Sequence, residues 1–166
     1  MNTKKVAYLG LFIALAFVLS YVEFLLPFNI GIPGAKIGLA NLVVMVALYT
    51  AGTKDAFLLS IVRVILVGLT FGNPAMMLYS MAGAMLSFLV MIIAKKTKLF
   101  SITGVSVLGG VFHNIGQIIV AMFVLDTASL IYYLPFLIVI GTISGIVIGV
   151  ISGLITARVG RLFDIK

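Results

Sequence analysis

Six apolar runs, near residues 6–26, 37–52, 56–71, 75–94, 102–125 and 131–157, take up almost all of this 166-residue chain. A soluble fold has no interior large enough for so much apolar side chain, whereas runs of about 20 residues match the hydrocarbon thickness of a bilayer. Hydrophobic residues make up 63% of the sequence and charged residues only 9%, against roughly 25% charged in an ordinary soluble domain. The runs predict an all-α membrane protein: one domain over residues 1–166, six transmembrane helices, and no room for a soluble catalytic domain. The runs at 37–52 and 56–71 are short for a full crossing.

The breakers between the runs are PFNIGIPGAK (27–36), GTKD (52–55), GNP (72–74), KKTK (95–98) and DTAS (126–129), all rich in turn formers or charge. The net charge of +7 reflects eleven Lys and Arg that fall almost entirely in these gaps and in the two end segments, as orientation signals do, so nucleic acid is not an expected partner. A cytoplasmic N-terminus puts Lys4, Lys5, Lys54, Lys95, Lys96, Lys98, Arg158, Arg161 and Lys166 inside, with Lys36 outside and Arg63 within a run. Both termini are therefore expected in the cytoplasm. The first run is too long for a signal peptide and lacks a small-x-small cleavage site, so it is expected to be retained as a helix. With no cysteine in the chain, disulfides and thiolate metal sites are excluded.

Each ionisable group inside a span needs a reason, because lipid penalises it by several kcal/mol. At about 1.5 Å per residue, Arg63 lies roughly 12 Å below the outer boundary, Gln117 at a similar level, and His113 and Asn114 a turn deeper. Asn41 lies roughly 7 Å below Lys36. His113 and Asn114 stand four and three residues before Gln117, so one helical face carries an imidazole and two carboxamides. This convergence predicts a cup in the outer half of the bundle, in which Lys36, Asn41, Arg63, His113, Asn114 and Gln117 hold a small solute under a lid formed by residues 27–36. Its cationic, hydrogen-bonding character suits an anionic or zwitterionic solute such as a vitamin, its precursor or a phosphorylated metabolite. The alternatives are a structural hydrogen-bond network, and an Arg63 locked to Glu23, the one carboxylate within a run. Tyr79, Tyr132 and Tyr133 are expected in interfacial aromatic belts.

The sixth run carries Gly141, Gly145, Gly149 and Gly153 at four-residue spacing, a nearly bare face for close helix packing, and the first run carries a smaller stripe in Ala7, Gly10 and Ala14. There is no Walker motif, no aspartate pair and no carboxylate in sequence near His113, so no cofactor, metal or enzymatic activity is expected.

The stretches PGAKIGLANLV (33–43), YSMAGAMLSFLVM (79–91) and GGVFHNIGQ (109–117) resemble the Gx transporter family, also labelled heptaprenyl diphosphate synthase component I. That family is related to the S components of energy-coupling factor transporters, and the resemblance covers all six runs. It implies an S-component-like bundle in a bacterial inner membrane, with the first outer loop capping a solute site. It also implies docking of the first helix, at Ala7, Gly10 and Ala14, on a transmembrane T component served by two ATPases, although glycine here replaces the first alanine of the family's Ala-x-x-x-Ala pattern. The synthase label fits less well, since prenyl synthases resemble one another in aspartate-rich motifs and the three aspartates here are scattered. The alternative expectation is a non-catalytic membrane component assisting isoprenoid or quinone metabolism, or a flavin-linked extracytosolic redox pathway.

Overall fold

In a computed structural model of the chain, residues 3–25 and 38–163 are described, with side chains over 6–25 and 38–159. Six α-helices form within them: α1 (Thr3–Leu25), α2 (Leu39–Thr50), α3 (Thr53–Thr70), α4 (Pro74–Thr97), α5 (Ile102–Val124) and α6 (Leu134–Phe163), the last preceded by a 3-10 segment at Ala128–Tyr133. Each coincides with one apolar run. The expected lid at 27–36, Lys36 included, lies outside the described residues.

Local chemistry sets the boundaries. Asn73 caps α4 by accepting a 2.7 Å hydrogen bond from the Met76 amide, with Pro74 in the first turn, and Ser101 caps α5 by accepting from the Gly104 amide at 3.2 Å. Lys95 and Lys96 fall in the last turn of α4, where positive charge complements the helix dipole. Gly38 enters α2 at φ 81°, a left-handed conformation that a side chain would strain.

Four segments are long and apolar enough to cross a membrane: Val6–Leu25, Pro74–Thr97, Ile102–Val124 and Ala128–Val159. The expectation of six crossings is thus met in helix number, while by length and composition only four helices qualify. The 12 residues of α2 reach about 18 Å, and α3 carries Lys54, Asp55 and Arg63.

The helices alternate in direction. Tyr8 on α1 meets Thr50 at the end of α2 (3.1 Å), while Glu23 near the other end of α1 accepts a hydrogen bond from the Gly38 amide. On α4 and α5, Gly83 lies against Gln117 and Ser87 bonds to Gly109; on α5 and α6, Gly110 opposes Gly141 and Thr103 opposes Gly149. Neighbouring pairs close a ring in the order α1, α2, α6, α5, α4, α3. Lys54, Lys95, Lys96, Lys98 and Arg158 gather at one end of it.

At that basic end the interior is solid. All six residues from Val43 to Leu48 of α2 are buried, as in a helix surrounded on every side. Five of them, Val43, Val44, Met45, Ala47 and Leu48, pack with Ala16, Ala56, Leu59, Phe88, Met91, Ala94, Val105 and Ile148 into one cluster. Lys95 of α4 reaches across to the Leu48 carbonyl (2.5 Å) and covers the Tyr49 ring (4.7 Å), meeting one carbonyl at the end of α2 with positive charge. At the opposite end, Phe17, Tyr21 and Phe24 of α1 surround Phe71, with ring centroids 5.1 to 5.6 Å away.

The glycine stripe of α6 is spent on α5. A Cβ at Gly145 would lie 2.6 Å from the Val107 Cα, and one at Gly149 would lie 2.6 Å from the Thr103 Cα. Gly110 and Gly141 oppose each other with the same intolerance. Gly153 departs from the expectation: a Cβ there meets nothing within 4 Å, because α5 begins at Ile102, level with Gly149, and leaves no turn for Gly153 to face. The α1 stripe is likewise open, with Ala7, Gly10 and Ala14 all exposed and nothing within 4 Å of a Cβ at Gly10.

The two glycines 145 and 153 therefore predict opposite outcomes. Gly145→Val should separate α5 from α6 at a cost of about 1–3 kcal/mol, lowering by several degrees the midpoint at which a fluorescent fusion loses its monodisperse peak after heating. Gly153→Val should leave it within a degree or so of the parent, and equal midpoints for both variants would refute the packing role.

Candidate functional site

Above the apolar cluster, away from the basic end, the six helices surround a cavity whose empty space, open mouth included, is about 930 Å3. Every helix contributes. Glu23 comes from α1, Asn41 from α2, Arg63 from α3, Ser80 from α4, Gln117 from α5 and Ser144 from α6. Of the residues expected from sequence, Asn41, Arg63, His113, Asn114 and Gln117 all line this one space, while Lys36 lies outside the described residues.

Missing side chains make that convergence possible. A Cβ at Gly83 would lie 2.7 Å from the His113 carbonyl oxygen and 2.8 Å from the Gln117 Cγ, so glycine on α4 lets both polar residues of α5 seat against it. A Cβ at Gly141 would lie 3.0 Å from the Asn114 Nδ2, so glycine on α6 admits that carboxamide. The polar cluster and the glycine stripe are parts of one arrangement.

The two readings of the polar cluster divide by atom. Asn114 is buried, and its Nδ2 donates to the Leu137 carbonyl of α6 at 2.7 Å. A carbonyl only accepts, which fixes the amide's orientation and leaves Oδ1 and one N–H outside that bond. Half of Asn114 is thus a helix tether. Gln117, also buried, lines the cavity one turn further along α5.

Glu23 has a structural task. Its carboxylate accepts from the Gly38 amide at the start of α2, placing negative charge where the helix dipole is positive. It also attracts Arg63 electrostatically, so part of the expected Arg63–Glu23 coupling is present. The Arg63 Nε is nevertheless buried with no hydrogen-bond partner. A buried unmet donor is costly, and this one belongs to a residue that lines the cavity.

Sequence reasoning passed over the serines and methionines of the wall. Ser20, Ser80, Ser87, Ser106 and Ser144 line the cavity, as do Met45, Met76, Met77 and Met91. Their signal on α4 was periodic: Met77, Ser80, Ser87 and Met91 are spaced by three, seven and four residues, which puts them on one helical face. Tyr79 departs from the belt expectation. It is 6% exposed, because it lies one helical turn before Gly83 and shares the inward face of α4. Tyr132 and Tyr133 are exposed on the 3-10 segment, as interfacial anchors would be. Among the described residues no group of three or more His, Cys, Asp or Glu could hold a metal ion.

The profile of the heptaprenyl diphosphate synthase component I family matches residues 12–155. No curated protein and no solved structure matches the chain significantly. The matched stretch begins inside α1, ends near the close of α6 and takes in every cavity-lining residue, and the chain belongs to the heptaprenyl diphosphate synthase component I family.

Proposed function

We propose that this chain is a membrane-embedded, S-component-like transport subunit that captures a small anionic or zwitterionic solute in its cavity from the outer face. The observation that carries this reading is the buried Arg63 Nε, without a partner in a cavity that all six helices line. A guanidinium in low dielectric attracts a carboxylate or phosphate strongly, and the carboxamides of Asn41 and Gln117 supply neutral hydrogen bonds beside it. In this reading α2 and α3 complete six crossings, both termini are cytoplasmic with the basic end inside, and the cavity opens outward beneath residues 27–36. Lys36 would join the anion site from that segment. No residue is assigned a catalytic role. The protein would work in a bacterial inner membrane with a transmembrane T component and two ATPases. The exposed Ala7, Gly10 and Ala14 support a docking face on α1, since small residues let a partner helix approach closely.

A second reading is favoured by the family description: a non-catalytic membrane component that assists a soluble prenyl diphosphate synthase. Prenyl transfer that depended on this chain in a reconstituted membrane would promote that reading over capture.

Purified protein mixed with a small-metabolite extract and recovered by gel filtration should retain an anionic solute detectable by mass spectrometry. Arg63→Gln and Gln117→Ala should each retain about ten-fold less or lower, a loss on the scale of one charge-assisted or buried hydrogen bond, while eluting as monodisperse protein. Retention at the parent level in both variants would remove the site. Asn114→Ala is the less informative variant, because it also cuts the tether to Leu137.

Affinity purification from native membranes should recover a T component and two ATPases. Gly10→Leu with Ala14→Leu should abolish that recovery and leave solute retention unchanged. Recovery undiminished by the double variant would move docking away from α1.

A further inference from the structure

Hydrogen bonds within the wall engage three side-chain donors of its deep end and leave oxygen acceptors on the same side chains. The Ser87 hydroxyl donates to the Gly109 carbonyl at 2.8 Å, the Ser144 hydroxyl to the Gly141 carbonyl at 3.4 Å, and the Asn114 amide nitrogen to the Leu137 carbonyl at 2.7 Å. Each residue lines the cavity; the two hydroxyls can then offer only lone pairs to a guest without giving up a backbone bond, and Asn114 offers its Oδ1 beside one remaining N–H.

These three oxygens belong to one region. Ser87 bonds to Gly109, Gly110 opposes Gly141, and Ser144 lies one turn along α6 from Gly141. Arg63 is placed differently. It stands on α3, whose main neighbours are α1, α2 and α4, so it faces the α5–α6 wall across the cavity. Counting from the contact of Gly68 with Met77, Arg63 is level with Gly83, about one turn nearer the mouth than Ser87. A guest meets one fixed cation on one side and a patch of acceptors deeper on the other.

The acceptor patch carries no formal charge. Among the described lining residues the one carboxylate is Glu23, which is engaged with the Gly38 amide and Arg63 at the α1–α2 side. A guest ammonium against Ser87, Asn114 and Ser144 would be desolvated without a counter-charge, whereas a neutral N–H would be fully satisfied. Between the two poles Met91, pressed against Gly109, and Met45 offer flexible thioethers, which contact flat rings favourably.

We propose that the solute is a heterocyclic carboxylate or phosphate, its anionic group on Arg63 and its uncharged ring or exocyclic N–H groups on Ser87, Asn114 and Ser144. This rests on the cavity being a solute site, and it narrows the solute class to anions with a neutral donor edge.

The test is binding to detergent-purified protein by isothermal titration with three kinds of probe. Orotate, pterin-6-carboxylate and guanosine monophosphate carry an anion and N–H donors; 1,3-dimethylorotate, nicotinate and benzyl phosphate carry the anion alone; tryptamine is a cation with a ring N–H. The tightest probe should come from the first group, about ten-fold or more tighter than its donor-free counterpart, as a site built to meet polar groups discriminates. Ser87→Ala combined with Ser144→Ala should shrink that ratio to about three-fold or less, and Arg63→Gln should weaken both anionic groups together. Equal or tighter binding of donor-free anions or of tryptamine overturns the proposal, as does an unchanged ratio in a monodisperse serine variant. If no probe binds while the parent still retains a solute from extract, this inference falls and capture stands. If nothing is retained from extract either, both fall.

Discussion

Backbone set directly against backbone along α5 and α6 fixes the geometry of the cavity walls in this bundle. Lipid supplies no hydrophobic drive between helices, so contact of this closeness comes from removing side chains, and Gly110, Gly141, Gly145 and Gly149 remove them. The same device recurs between α4 and α5 at Gly83 and Gly116. Once these three helices are so near, Asn114 finds a backbone carbonyl on its neighbour, and His113 and Gln117 are seated against α4 toward a shared space. Polar groups that lipid would reject acquire partners because the helices carrying them touch.

The bundle consequently has two storeys with different physics. One is an apolar cluster centred on α2, where every face of the helix from Val43 to Leu48 is covered. The other is the cavity, walled by serines, carboxamides, methionines and bare glycine backbone. Met45 and Met91 belong to both the cluster and the cavity wall, forming the floor between them. A packed floor under a polar room suits holding a guest, since access from the basic end is blocked by side chains at full density.

Much of this was legible in the order of residues. The apolar runs marked all six helices, because turn formers and charges are confined to the gaps. Counting residues from each gap placed Arg63, His113, Asn114, Gln117 and Asn41 at a shared depth, and they do line one cavity. Rotation about each helix axis was harder to read. Tyr79 looked interfacial by depth and proved to face inward, and Gly153 continued a pattern whose partner helix had already ended. Serine is ordinary in a membrane helix, so the spacing of Ser80 and Ser87 on α4 was a weak signal until α4 and α5 were seen side by side. The division of Asn114 into a tethering nitrogen and a free oxygen depends on the position of one carbonyl on α6, which spacing alone does not locate.

The two ends of α2 are met by formal charges from elsewhere, Glu23 at its amide end and Lys95 at its carbonyl end. A helix of about 18 Å inside a hydrocarbon slab of about 30 Å would ordinarily strand both sets of unpaired backbone groups in oil. With an anion at one terminus and a cation at the other, each end of the α2 dipole has a counter-charge supplied by a neighbouring helix, which helps so short a segment sit among longer ones.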